Sequence, residues 1–162
     1  MNTNPAPQMV GEPSLKQEID IAAEIRNLFS LATFITLEPG MTNSFSEGLE
    51  EAIEKYGELA LREIQELVVG EVIPFTIAAE ALRYIGNTES IRFVSKRREL
   101  LEVCLLQSRF MLVRDGAAAG LSYLDDPRSI PSLQRAIERE PHAELKNDLI
   151  EVLSLLQGTS AE

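Results

Sequence analysis

The 162-residue chain has no tryptophan, one cysteine and one histidine. A lone cysteine, Cys104, closes no internal disulfide, which fits a reducing compartment. With His142 as the single histidine, neither a zinc site nor a Ser-His-Asp set has adequate ingredients. Aromatic residues make up 6% of the chain, so its core must rest on Leu, Ile, Val and Ala, a mixture suited to helices packed on helices. Positive charge is also in deficit: 26 acidic residues stand against 15 basic ones, for a formal charge of −11. Such a surface repels phosphate backbones and anionic membranes, so nucleic acid and membrane are expected to be excluded as partners. No segment approaches the ~20 uninterrupted apolar residues that span a bilayer. The opening MNTNPAPQMVGEPS lacks positive charge before an apolar run, so no signal peptide is expected. Phosphate-binding, dinucleotide and HExxH motifs are missing too. The expectation is a cytoplasmic protein, not an enzyme, with no cofactor and no metal.

What is present is helical periodicity. Residues 1–13, with Pro5, Pro7 and Pro13, suggest a flexible leader, and 158–162 a flexible tail. Between them the spacing predicts roughly eight helices with short links and no convincing strand. N-terminal helices over 14–56 would cap a repeat array over 57–157. The first helix is expected to start at Ser14 and to take in the β-branched stretch Leu31–Leu37, with a short extended piece as the alternative for that stretch, before the Pro39-Gly40 break. Ser44 and Glu47 suggest a capping box for the second helix, and Gly57 and Gly70 close the next two segments. The fifth helix is expected to take in ESIRFVSKRRELLEVCLLQS, and the last to end before Gly158. Gly116 and Gly120 fall inside a helix, where each costs about 0.8–1.0 kcal/mol relative to alanine, so a neighbouring helix must need to approach there.

The chain also repeats itself. IAAEALRYIGNTESI from Ile77 lies over GAAAGLSYLDDPRSI from Gly116, placing Leu82 on Leu121, Tyr84 on Tyr123 and Ile91 on Ile130 at an offset of 39 residues. A weaker copy, DLIEVLSLL, places Leu153 on Leu121 at an offset of 32. Val113-Arg114, Ala117, Ala118, Leu121, Leu124, Asp126-Pro127-Arg128, Ile130-Pro131 and Leu133 together resemble a bacterial HEAT-like repeat of the type named after phycobilisome lyases. The likeness is clear over 113–139, moderate over 74–94 and weak over 142–157. It implies an all-α fold: a short right-handed α-solenoid of about three helix pairs, with the additional helices at its N-terminus. It also implies that Arg114 and Asp126 are structural, since this pair commonly bonds across repeats in the family. Within the sequence itself, Asp126 is placed to cap the helix that begins at Pro127.

Candidate sites follow from this frame. In such solenoids the second helix of each pair lines the concave side. With Tyr84 and Tyr123 placed there, they would form an amphipathic strip, flanked by Glu80 and Arg83 and continued by Leu155; the alternative is that they seal the seam between repeats. The one basic cluster, Arg92, Lys96, Arg97 and Arg98, could dock an acidic partner or a phosphate, or could balance Glu99 and Glu102 on a helix exterior. The acidic run Glu47, Glu50, Glu51, Glu54 and Glu58 suits a solvated face better than acid–base work or cation binding. Cys104 is expected to be a buried thiol and His142 an exposed boundary residue. The expected function is a non-catalytic scaffold, a monomer or weak homodimer, that binds a protein partner on the concave face. The first alternative is an accessory subunit of a tetrapyrrole (bilin) lyase-type activity, by analogy of fold. The second, a helical-repeat nucleic-acid binder, is opposed by the net charge.

Overall fold

The computed structural model describes residues 11–159, so the leader up to residue 10 and the tail from 160 lie outside it. Eight α-helices and no strand occur among the described residues: α1 (Leu15–Ala32), α2 (Ser44–Tyr56), α3 (Glu58–Val69), α4 (Phe75–Asn87), α5 (Val94–Gln107), α6 (Met111–Leu124), α7 (Ile130–Arg139) and α8 (Ala143–Thr159). A 3₁₀ turn, Pro127–Ser129, leads into α7. None of these helices is long and apolar enough to cross a membrane.

Local chemistry fixes the helix ends. The Ser14 hydroxyl accepts from the Gln17 amide while the Gln17 side chain accepts from the Ser14 amide, a reciprocal cap. The first helix stops at Ala32, short of the expected Leu37. Thr33 then turns its hydroxyl back to donate to Ser30 O at 2.6 Å, and the β-branched residues beyond it leave the helix. The cap of α2 lies one residue before the expected Ser44. Asn43 Oδ1 accepts from the Phe45 and Ser46 amides, and the Ser46 hydroxyl, not Glu47, completes the box. Gly57, at φ +57°, makes the sharp junction between α2 and α3, and the Phe93 ring covers it closely. The fifth helix starts at Val94, because Phe93 sits in the left-handed region at φ +57° and breaks the expected run. At the other end, α8 continues through Gly158 to Thr159.

The helices stack in two layers. α1, α3, α5 and α7 contact one another in that order, and α2, α4, α6 and α8 do the same in the second layer. Each helix therefore leans on the helix two places away, the arrangement of a helical-repeat solenoid. The first two helices join the sequence of layers by packing on α3 and α4. One continuous apolar core runs from Ile21 to Leu156 between the layers.

The closest joint is α4 against α6, where backbone meets backbone. A Cβ on Gly86 would collide with the carbonyl of Gly120, one on Gly116 with the carbonyl of Ala79, and one on Gly120 would lie 2.5 Å from Leu82 O. The two mid-helix glycines are thus needed for the approach that the sequence suggests.

Candidate functional site

The solvent side of α4 carries Glu80 and Arg83, with Tyr84 toward α2. Arg83 donates to Asp115 of α6, tying the two helices together on the outside as the glycines do on the inside. It also lies 3.7 Å from Glu80, whose Oε2 is buried with no hydrogen-bond partner. Burial holds the Glu80 carboxyl above the usual range, against the opposing pull of Arg83.

The two tyrosines of the repeat part company. The Tyr84 hydroxyl accepts from Asn43 Nδ2 at 2.8 Å and donates to Met41 O at 3.0 Å, and its ring meets Phe45 edge-on at 6.3 Å. It anchors the start of α2 to α4. Tyr123, at the equivalent position of α6, is 56% exposed, and Leu155 on α8 is 62% exposed. Identical register therefore does not give identical roles, because Tyr84 has the residue 41–45 segment against it. A matched pair of outward-facing tyrosines is not formed.

The expected basic patch disperses. Arg97 is 1% exposed and belongs to the core, not to a docking surface. Its Nε donates to Ile85 O at 2.8 Å, Nη2 to Gly86 O at 3.4 Å, and Nη1 to Ser90 O and Arg92 O at 2.6 and 3.4 Å. One guanidinium thus serves the free carbonyls at the C-terminus of α4 and the loop after it, the end of a helix where positive charge is favoured. Arg98 bonds Glu102 and lies 3.3 Å from Asp126, with its side chain 16% exposed. The exposed members are separately engaged, Arg92 with Glu54 at 2.8 Å and Lys96 with Glu99 at 3.2 Å.

Arg114 and Asp126 both have structural partners, but they do not pair with each other. Arg114 forks onto Glu140, with Nε to Oε2 at 2.7 Å and Nη2 to Oε1 at 2.9 Å, and its Nη1 donates to Ser108 O. Asp126 accepts from the Arg128 amide at 3.1 Å, the expected cap, and from the Arg128 guanidinium at 2.7–3.1 Å. The partners Glu140 and Arg98 close this framework. Glu140 was not anticipated, since one carboxylate in the run ERE before a proline carries no signal of a partner 26 residues earlier.

Among the remaining candidates, Cys104 is buried and burial pushes its thiol up to about 12. The thiolate is the reactive form, so this side chain is chemically quiet at neutral pH. His142 is exposed at the start of α8. The acidic face of α2 is partly used inside the molecule: Glu50 accepts from Thr88, and Glu54 from Ser90 and Arg92. These contacts line a cleft between α2 and α4 with about 100 Å³ of water-accessible space. Among the described residues, no group of three His, Cys, Asp or Glu side chains is placed to hold a metal ion.

Comparison with known proteins adds one match, to the family model described as PBS lyase HEAT-like repeat, over residues 113–139. No curated protein and no solved structure matches the chain. The matched segment runs from α6 into α7, so the tyrosine-bearing helix comes first in the repeat, the reverse of the order expected from the sequence. Its small residues, Arg114 and Asp126 are all used in packing or capping, which identifies residues 113–139 as a HEAT-like repeat within an all-helical chain.

Proposed function

We propose that the protein is a non-catalytic interaction scaffold of the bacterial cytoplasm, and that a protein partner docks on the surface of α4 and α6 that carries Tyr123. The single observation that carries this reading is Tyr123. It is an aromatic with a polar tip, more than half exposed, near the end of a helix that backbone contact with α4 holds in place. A tyrosine held on a rigid support loses little freedom on binding, and such residues are frequent interface anchors. Glu80 and Arg83 would supply charge from α4, and Leu155 an apolar extension on α8.

Affinity capture with the full chain tests this. A stoichiometric partner is expected with the wild type and with Ile91→Ala, and its loss is expected with Tyr123→Ala at unchanged helicity. Retention of every captured protein by Tyr123→Ala would discard the site.

A further inference from the structure

The links α1–α2, α3–α4 and α5–α6 come together on one edge of the stack. Ile35 and Leu37 line a cleft with Pro74, Thr76 and Ile77, the Phe75 ring stacks on Phe110 at 5.2 Å, and Arg109 forks onto Glu71 at 2.6 and 2.8 Å. Exposed apolar side chains concentrate here: Leu31, Phe34, Val69, Val72, Phe75 and Met111, with Phe34 at 84% and Val72 at 69%. The opposite edge, with Gly57, the 88–93 loop and Asp125-Asp126, exposes Leu15, Ile91 and Tyr123. Summed over these six residues the exposed area is on the order of 700 Å², somewhat above the roughly 300–600 Å² of the largest apolar patch on a typical monomer.

We infer that two copies of this chain pair through this edge. Three properties select a second copy as the occupant. First, the edge is nearly neutral in a chain of charge −11: its links carry Glu38 and the mutually compensated Glu71–Arg109 pair. Two strongly acidic molecules repel least where they present this surface to each other. Second, the edge holds both halves of a contact. Phe34, 84% exposed, follows Thr33 and precedes Ile35 at a cleft of about 370 Å³ lined by Ala32, Ile35, Leu37, Pro74 and Ile77 together with Thr33 and Thr76. In a two-fold pairing, each copy places its Phe34 in the cleft of the other, so a single kind of contact is made twice and the assembly closes as a dimer. Third, the area available approaches the ~800 Å² that each partner contributes to a standard interface.

Sedimentation velocity on the full chain, over a wide concentration range and at two salt concentrations, tests the pairing. The wild type is expected to form a dimer that dissociates on dilution and tightens as salt screens the acidic charge. Phe34→Asp is expected to weaken dimerisation roughly thirtyfold or more, the scale of a central anchor lost. Because Phe34 lies outside the core, its helical circular dichroism should stay unchanged, and so should its melting temperature at concentrations where the wild type is monomeric. Ile91→Asp, on the opposite edge, should dimerise normally. A wild type that stays monomeric throughout overturns the inference, and so does a Phe34→Asp chain that dimerises as tightly as the wild type. A monomeric wild type that binds phosphatidylcholine vesicles through Phe34 overturns it in favour of a lipid surface.

Discussion

Arg114, near the start of α6, and Glu140, just past the end of α7, meet in a two-point fork that closes the helix pair of the matched repeat. The Glu140 side chain is 2% exposed, so removing its partner strands a carboxylate out of water. Arg114→Ala is expected to cost about 3–5 kcal/mol in urea denaturation, the range for breaking one side of a buried pair. Arg114→Lys should recover part of this and no more, because an ammonium cannot make both bonds in one plane. Equal stability of Arg114→Ala and the wild type would remove the fork from the list of supports.

Acid should loosen the same region first. Burial tends to raise the carboxyls of Glu140 and Asp126, but the bonds from Arg114 and the His142 amide, and from Arg128, outweigh it and hold both below their ordinary values. A depressed folded value means stability that is present above the unfolded values of about 4.3 and 3.9 and is lost as pH falls through the folded ones. Glu80 has the opposite sign: its raised carboxyl contributes below about 4.3, and that contribution disappears as pH rises. Denaturation midpoints measured from pH 7 downward should therefore fall below about pH 4, less steeply in Glu140→Gln. At pH 7, Glu80→Gln should be neutral or stabilising by up to about 1 kcal/mol.

The α4–α6 joint has no room for a methyl group. Gly86→Ala and Gly120→Ala are expected to lose about 3 kcal/mol or more, since the collisions are with backbone carbonyls that cannot swing away. Gly158→Ala meets nothing within 4 Å and lies in a helix, so it should gain up to about 1 kcal/mol. Thermal melts of the three variants decide the matter; a tolerated alanine at position 86 would contradict the contact.

Arg97 is the fourth test. Replacing it with methionine keeps the packed stem and deletes the donors to Ile85 O, Gly86 O and Ser90 O. A loss of about 3 kcal/mol is expected, together with faster amide exchange over residues 85–94. The conservative Arg97→Lys should also destabilise, because one ammonium cannot span carbonyls on both the helix end and the loop. Wild-type exchange in Arg97→Met would show that water satisfies those carbonyls equally well.

The helices were legible where punctuation and period agree. Gly57, Gly70 and the Asp126-Pro127 stop all mark ends, and the Ala117, Ala118, Gly120 and Leu121 pattern announced a close neighbour. The end of α1 was not, because Leu31–Leu37 has apolar residues compatible with either helix or extended chain, and what ends the helix is competition from the Thr33 hydroxyl. The cap at Asn43 lay one residue from a plausible alternative of the same chemistry. The charged residues were hardest. Arg97 stands among exposed-looking neighbours in KRRE, and its burial depends on carbonyls supplied by a helix end 11–12 residues earlier. Tyr84 and Tyr123 were aligned correctly in sequence, yet their fates are set by what happens to lie against each.

The glycine joint also governs how the molecule responds to force. Where main chain presses on main chain, the contact has little side-chain length to take up slack, so α4 and α6 move as one plank. The neighbouring joint α2–α4 bears on side chains, Tyr84 against Asn43 and Phe45, and hinges more readily. Under tension along the stack, the terminal helices should peel away first, leaving the fused middle to yield last.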